Sequence, residues 1–340
     1  MKILKLISFM LFAFTFSNSQ NIVGIVCDDH NKPITGAKVF LHGTTHVSIT
    51  NHEGVFIMSK SNIISKELCV FHEKHKFYMN NKINEIKDTL KINLTKENQN
   101  EYLYNNRLIN LEKDKIKDFE MELLGNDEFG DSCEISNIES ICFVKDLDMN
   151  NEYKTIKPII IINNKLGYKL YVFIYKFKKT VEEYRNTGVY ITKIDNNSHY
   201  YFEDIENPLI YQNARKMAYL GSKNHFLKAL VDGKLKENNF EIHKNFNFKD
   251  IKKYFEITKI NEDFYKIYLN MKLFNIDLKN KMFTKIPISF KGRNSTLYST
   301  TNEIIIDKYG NIYDTKNTFF NHDMSKYRIG KTLPLDYEYN

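Results

Sequence analysis

The sequence predicts a mainly β protein of the α+β class, with a β-sandwich first and a β-rich region containing a helix pair after it. Three patterns indicate this class: short strand-like segments within residues 23–94, a longer alternating block at residues 157–177, and a helical pattern at residues 207–231. Phenylalanine and tyrosine, which favour strands, number 25 and 22 among 340 residues, and this abundance supports a β-rich chain.

The first region is a series of short strands separated by turns. Apolar residues alternate with polar ones from Val23, from Ala37 and from Val47, as they do on a half-buried strand. Two more strands are predicted at residues 67–71 and 89–94, and these would complete a sandwich near residue 97.

The same region carries a specific sequence pattern. Its residues are Gly24-Val26, then Pro33-Ile34-Gly36-Ala37-Val39-Leu41-Gly43-Thr44, then Thr50-Asn51-Gly54-Phe56. This pattern resembles the carboxypeptidase-regulatory-like domain, a small transthyretin-like β-sandwich, although His46-Val47 stands where that family usually has a glycine. The resemblance implies a sandwich over residues 20–97. It implies no peptidase activity, because this domain is the accessory part of such enzymes.

A looser resemblance covers residues 158–177, 211–230 and 328–337. These segments resemble the region behind this module in uncharacterised exported proteins of the Bacteroidetes group. The residues that carry it are Ile162 to Tyr168, Arg215 to Ser222, and Arg328 to Tyr337. That family has no assigned activity, so the resemblance implies an exported protein and no particular chemistry.

The N-terminus has the form of a cleavable signal peptide. Lys2 and Lys5 give a charged start, Leu6 to Phe16 is an apolar core, and small residues precede a cut ahead of Gln20. The apolar run is shorter than the roughly 20 residues that span a bilayer, which favours a signal peptide over residues 1–19 rather than a membrane anchor. We therefore expect export to the periplasm or the outer-membrane or cell surface, with no transmembrane helix in the mature chain.

Export permits disulfides, and four cysteines allow three pairings. We expect Cys27 to pair with Cys69 inside the first domain and Cys133 to pair with Cys142 as a local staple. The alternative is four reduced cysteines, which behave as small buried apolar residues.

Residues 98–106 are polar and form the predicted linker to a second domain, a β-rich α+β unit at residues 107–340. A helical spacing from Asn106 to Leu124 ends at Gly125. The helix pair follows later in this domain. Its start signals are Asn207-Pro208 and Ser222, and its stop signals are Gly221 and Gly233.

Strands occupy most of the second domain. Pro158 to Asn163 is an apolar run typical of a buried strand, and Tyr168 to Phe177 alternates after a turn. The later predicted strands are Thr187 to Ile194, His199 to Phe202, Glu256 to Ile260, Phe264 to Phe274, Phe283 to Phe290, Leu297 to Ile306 and Ile312 to Thr315, with a hairpin turn at residues 307–311.

The charge pattern argues against a nucleic-acid partner. The net charge is +7, but basic and acidic residues are interleaved and no compact basic run occurs.

Histidines are concentrated in the first domain, and they raise the question of a metal site. His72 and His75 form H-x-x-H, which is one residue short of the zinc-protease motif H-E-x-x-H. On a strand or turn these two side chains would face opposite sides. We therefore favour turn and surface histidines over the alternative, a weak metal site, and predict no metal ligand and no cofactor.

Two other clusters have a plain and a functional interpretation. Basic residues surround the helix joint. They suit either a solvated helix face with one buried arginine, which is favoured, or an anion site for a phosphate, a carboxylate or an acidic sugar; they are Arg215, Lys216, Lys223, His225 and Lys228. Asp307 to Asp314 suits a turn better than a calcium loop, because the EF-hand spacing is absent.

The sequence thus predicts an exported envelope protein with a non-catalytic binding or scaffold role toward a protein or glycan. It singles out no catalytic, cofactor-binding or metal-binding residue. The alternative is a periplasmic or surface hydrolase with its site in the second domain. Such an enzyme would use Arg215 and His225, or the acids Glu203 and Asp204.

Overall fold

The computed structural model describes residues 21–59, 67–81, 89–96, 113–145, 151–155, 157–183, 190–242, 254–270, 284–313, 315 and 317–339. The expected signal peptide at residues 1–19 and linker at residues 98–106 lie outside these ranges. Strands predominate in the described residues and helices are few, so the prediction of a mainly β, α+β fold is confirmed.

The first region is a β-sandwich of two sheets. Its strands are β1 (Asn21–Asp28), β2 (Lys38–Leu41), β3 (Val47–Ile49), β4 (Val55–Ser59), β5 (Leu68–Phe71), β6 (Tyr78–Asn80) and β7 (Leu90–Leu94). One sheet has the order β4-β1-β7 and the other β3-β2-β5-β6. Strand β6 was not predicted, because Tyr78-Met79-Asn80 does not alternate apolar with polar residues.

Alternation along each strand decides which side chains fill the sandwich. Val26 of β1 and Val39 of β2 are fully buried in its core. Cys27 follows Val26, so its side chain points to the outer face of its sheet. Cys69 is also outward, because it packs with Phe40 in a separate cluster outside the sandwich core.

Neither predicted disulfide is present, and all four cysteines are thiols outside any disulfide. Cys27 and Cys69 point away from each other on the outer faces of two stacked sheets, which places them beyond bonding reach. Cys133 is paired with Asn163 of one strand, and Cys142 is paired with Lys154 of another. Both of those strands lie beside the same long strand, at positions far apart along it. Those positions are about 25 Å apart along that strand, whereas bonded cysteines need Cα atoms within about 7 Å.

The long strand belongs to a six-stranded sheet. Its members are β8 (Cys133–Ile135), β9 (Ile141–Lys145), β10 (Asn151–Thr155), β11 (Ile159–Asn163), β12 (Tyr168–Glu183) and β13 (Tyr190–Asp204). Strand β13 pairs with β12 along its length, so β11 and β10 share the opposite edge of β12. Helix α1 (Lys113–Leu124) covers this sheet with Phe119 and Leu123. As predicted, α1 ends at Gly125, whose φ is +103°.

The helix pair forms as the sequence predicts. Pro208–Tyr211 is a 3-10 turn that leads into α2 (Gln212–Tyr219), and α3 (Lys223–Val231) follows Gly221. Asn207 accepts a hydrogen bond from the Leu209 amide, and Ser222 Oγ accepts one from the His225 amide at 3.1 Å. Each cap satisfies an amide that the helix leaves unpaired. The described residues contain no helix long and apolar enough to cross a bilayer.

Two smaller sheets complete the chain around a third core. Their strands are β14 (Phe240–Ile242), β15 (Phe255–Lys259), β16 (Phe264–Leu269), β17 (Thr284–Phe290), β18 (Arg293–Ser299), β19 (Glu303–Asp307) and β20 (Thr318–His322). One sheet has the order β14-β17-β18-β20 and the other β15-β16-β19. The single strand predicted from Leu297 to Ile306 is wrong, because the chain leaves one sheet after Ser299 and enters the other at Glu303.

The segment predicted as a strand at residues 312–315 makes only an isolated bridge, from Ile312 to Ile306. The turn at residues 307–311 is present: the Gly310 amide donates to the Asp307 carbonyl at 3.0 Å. The part of the strand prediction at residues 271–274 lies outside the described residues.

The sandwich packs directly on the six-stranded sheet. The fully buried Phe40 of β2 is stacked on Phe173 of β12, with ring centroids 5.6 Å apart, and lies 4.6 Å from the ring of Tyr201 of β13. Near this contact, residues 334–339 cross from the smaller sheets to the sandwich. There the Leu335 amide donates to the Gly43 carbonyl at 2.8 Å.

Candidate functional site

A cleft of about 670 Å³ lies where the sandwich, the long hairpin, the helix pair and the C-terminal residues meet. We call it the junction cleft. Its lining includes His42, Glu67, Tyr200, Tyr219, Ser222, Lys223, Asn224, Phe264, Asp307, Tyr309, Asn311, Tyr313, Thr318, Phe319, Tyr327, Lys331 and Tyr337. A volume of this order suits a small ligand or a few sugar rings.

Aromatic rings form much of the lining. Tyr313 and Phe319 are 42% and 40% exposed, so part of each ring is open to solvent on this lining. The ring of Phe264 packs edge-on against Tyr313, and the ring of Tyr298 is stacked on Phe319 at 5.1 Å. These contacts hold the two exposed rings in fixed orientations, so they are preformed apolar surfaces.

A hydrogen-bonded network connects helix α3 to the turn at residues 307–311. The Asn224 amide group donates to Asn311 Oδ1, and Asn311 Nδ2 donates to Asp307 Oδ2 at 2.9 Å and to the Leu335 carbonyl at 2.7 Å. Asp307 Oδ1 also accepts the amides of Tyr309 and Asn311. This network fixes the polar part of the lining.

Asp307 is nearly fully buried, and burial raises its pKa to about 6 although its hydrogen bonds lower it. Its carboxylate oxygens are occupied by three donors from its own turn. The Asp307–Asn311 segment is therefore a structural turn. This agrees with the sequence analysis, which favoured a turn over a calcium loop. Asp314 lies outside the described residues.

A histidine pair lies at the sandwich end of the cleft. His42 Nδ1 accepts a hydrogen bond from the Tyr200 amide at 3.2 Å, and the rings of His42 and His199 are 5.0 Å apart. His199 Nε2 lies 3.2 Å from Glu67 Oε2, whereas His199 Nδ1 is buried without a partner among the described residues. Burial, with the neighbouring His199, lowers the pKa of His42 to about 4, so His42 is neutral at physiological pH.

Two ammonium groups line the cleft as well. Lys223 begins helix α3, and it is exposed on the lining of the cleft. Lys331 lies over the ring of Tyr327 at 4.4 Å and over that of Phe129 at 5.2 Å. Burial lowers the pKa of Lys331, because its ammonium is partly removed from water.

A second pocket, of about 480 Å³, lies beside helix α2. Here Arg215 donates to Asp204 Oδ1 at 2.6 Å and to the carbonyl of Leu166 at 2.9 Å, and its guanidinium lies 3.8 Å from the centre of the Tyr168 ring. Arg215 is almost fully buried by these contacts. Its contacts therefore link helix α2 to the six-stranded sheet.

The hydrolase alternative required Arg215 with His225, or Glu203 with Asp204. His225 is buried, its Nδ1 accepts the Gly221 amide at 3.0 Å, and its Nε2 lies 2.9 Å from Asn238 Oδ1. Glu203 lies 3.6 Å from Lys38 Nζ, and Asp204 is bound to Arg215. Arg215 and His225 are thus held by contacts within the fold, and Asp204 is paired with Arg215 on the lining of the smaller pocket.

The basic residues at the helix joint do not form one anion site. Arg215 and Lys216 line the smaller pocket, Lys223 lines the junction cleft, and Lys228 pairs with Asp232 at 2.6 Å.

The predicted orientation of His72 and His75 is wrong. They lie on one turn with their Nδ1 atoms 2.9 Å apart, because the turn brings residues three apart together. His72 Nδ1 also lies 3.3 Å from the Lys74 amide. Within the described ranges, no group of three or more histidine, cysteine, aspartate or glutamate side chains is placed to hold a metal ion.

Sequence reasoning missed the junction cleft. It placed Lys223 in a possible anion site at the helix joint and Asp307 in a possible calcium loop, each as the less favoured interpretation. It gave no weight to Tyr313 or Phe319. With 25 phenylalanines and 22 tyrosines in the chain, no local signal separates these two rings from those of the cores.

No family model matches this chain, and searches of curated proteins and of solved structures give no match either.

Proposed function

We propose that this chain is a non-catalytic, glycan-binding protein of the cell envelope and that the glycan binds in the junction cleft. The observation that carries the proposal is the pair of exposed rings, Tyr313 and Phe319, on the wall of a cleft with fixed polar groups. Pyranose rings present C–H faces that stack on aromatic side chains, and their hydroxyls need donors and acceptors at set positions. Of the two partner classes that the sequence left open, protein and glycan, these features favour the glycan.

The polar groups of the cleft support this proposal. The neutral His42 has its Nδ1 occupied as an acceptor, so its proton is on Nε2, which is a hydrogen-bond donor. Asn224 uses its amide group on Asn311, and its side-chain oxygen has no partner among the described residues. A donor and an acceptor are thus available for sugar hydroxyls.

The envelope location rests on the sequence. The charged start, the apolar segment from Leu6 to Phe16 and the small residues before Gln20 support export. The resemblance of residues 23–58 to a domain common in exported proteins also favours this location.

The carboxylates in the cleft already have partners within the protein, and this favours a binding role over hydrolysis. Glycoside hydrolysis needs two carboxyl groups facing the same glycosidic bond. Among the residues that the structure describes, the carboxylates on the cleft lining are Glu67 and Asp307. Glu67 is paired with His199, and Asp307 is enclosed by its own turn.

The proposal is tested with the chain from Gln20 to Asn340 on a glycan array, followed by calorimetric titration of the glycans retained. The double variant Tyr313→Ala, Phe319→Ala should bind those glycans at least about tenfold more weakly, since stacking contributes about 1 kcal/mol or more per ring. Tyr175→Ala is the matched control, because this ring is 38% exposed and does not line the cleft. Absence of binding to every glycan class, or unchanged binding by the double variant, would refute the proposal.

A further inference from the structure

Lys223 is an exposed lysine on the lining of the junction cleft. Its side chain is accessible to water, yet it makes no hydrogen bond or ion pair with any of the described residues. Two other lysines differ: Lys228 pairs with Asp232 at 2.6 Å, and Lys308 pairs with Asp263 at 2.9 Å. The ammonium is therefore open to a ligand, and a group that covered it without an opposite charge would remove its hydration without supplying a partner.

The carboxylates that line the cleft do not compensate for this charge. Asp307 accepts from two amides and from Asn311, and Glu67 lies against His199. Both acids are held by their own neighbours. The cleft therefore presents a positive charge that its own described side chains leave unpaired.

Lys331 adds a second ammonium on the same lining. It lies over the faces of two rings, Tyr327 and Phe129, and has no ion pair among the described residues. Cation–π contacts hold an ammonium without neutralising it. Two ammonium groups and two exposed rings thus share one cleft.

We propose that the glycan bound in the junction cleft is an acidic sugar, whose ring carboxylate pairs with the ammonium of Lys223. This inference rests on the proposed function and specifies its ligand class. A neutral sugar that closed over Lys223 would desolvate the ammonium without supplying an opposite charge, at a net cost. A carboxylate restores a charge-assisted hydrogen bond, which is about twice as strong as a neutral one. The exposed rings then stack on the apolar face of the same or the adjacent sugar.

The test uses matched pairs of oligosaccharides: uronate-containing chains and the same chains with their carboxyl groups converted to methyl esters. Calorimetric titration of the chain from Gln20 to Asn340 should detect the free acids and show binding at least about tenfold weaker for the esters. Affinity for the free acids should fall as sodium chloride is raised, because salt screens the pair.

Lys223→Gln should weaken binding of the free acids at least about tenfold and remove most of its salt dependence. Lys236→Gln is the control, since this substitution removes the same charge from an exposed position outside the cleft. Circular dichroism and thermal unfolding establish that both variants are folded. A Lys223→Gln variant that binds the free acids as the unmodified chain does would overturn the assignment of Lys223.

The outcomes separate this inference from the proposed function. Preferential binding of the esters or of neutral glycans would overturn the acidic ligand and leave a glycan-binding protein. Binding confined to sulfated glycans would overturn the carboxylate. Absence of binding to every glycan would overturn both.

Discussion

His42 shows how one side chain acquires its properties from a distant part of the chain. Its Nδ1 accepts from the Tyr200 amide, and its ring contacts those of Tyr200 and His199 at 4.7 and 5.0 Å. Glu67 favours the charged form of His42 but is paired with His199, so burial dominates and the pKa of His42 falls to about 4. The folded state therefore disfavours protonation of His42.

This pKa predicts a loss of stability in acid. An exposed histidine titrates near 6.5, so between about pH 6.5 and 4 the unfolded chain takes up a proton that the folded protein does not. The free energy of unfolding should fall over this window by up to about 3 kcal/mol through His42. Urea denaturation at several pH values measures it.

The control for this prediction is His42→Gln, which keeps an acceptor for the Tyr200 amide and cannot titrate. Subtracting its profile from that of the unmodified chain cancels other groups, including Asp307, whose raised pKa acts in the opposite direction. Two parallel profiles between about pH 4 and 6.5 would contradict the assigned protonation state.

At the scale of elements, the turn at residues 307–311 follows strand β19 and packs against the start of helix α3. Gly310 has φ of +84°, and a Cβ atom there would lie 2.3 Å from the carbonyl oxygen of Asn224. Only glycine permits both this backbone conformation and this close approach. The turn thereby positions Asn311 for its bond with Asn224.

Gly310→Ala and Gly292→Ala form a matched pair. Gly292 has φ of +81°, but no atom lies within 4 Å of the position that a Cβ atom would take. Its substitution therefore costs only the left-handed strain of about 1 kcal/mol. Gly310→Ala also forces the backbone of Asn224 to move, and overpacking adds about 1–3 kcal/mol. We expect Gly310→Ala to have the lower midpoint in chemical denaturation. Equal midpoints would show that the turn and α3 are not in close contact.

At the scale of the whole molecule, the sandwich and the second region are interlocked. Phe40 is fully buried between β2 and the long hairpin, where it contacts Phe173 and Tyr201. The Gly43 amide donates to the Tyr200 carbonyl at 2.7 Å, and Thr45 Oγ1 donates to Asp336 Oδ2 at 2.5 Å. The first region is therefore part of the body that forms the junction cleft.

The prediction for the full chain is that it is exported and cleaved before Gln20. When it is expressed from Met1 in a bacterial host, the protein recovered from the envelope fraction should begin at Gln20, as N-terminal sequencing would show. Leu11→Arg interrupts the apolar segment from Leu6 to Phe16 and should retain the uncleaved chain in the cytosol. A native chain that stays cytosolic and still begins at Met1 would contradict the predicted leader.

Local features were predictable because their causes are local. The strand periods of the sandwich, the caps at Asn207 and Ser222, and the glycine stop of α1 depend on residues a few positions apart. The error at residues 297–306 has a local cause too. Ser299 to Glu303 carries no strong break signal, so the passage from one sheet to another resembles one continuous strand.

The amino-acid sequence by itself determined that this protein is mainly β, where most of its strands and its helix pair lie, and that its front region is a sandwich. Only the tertiary structure decided that the cysteines remain apart, that Arg215 and His225 support the fold, and that the junction cleft exists. The physical reason is separation along the chain. Strand period and capping act over a few residues, whereas His42 meets Tyr200 and Gly43 meets Leu335 only after distant parts of the chain have packed together.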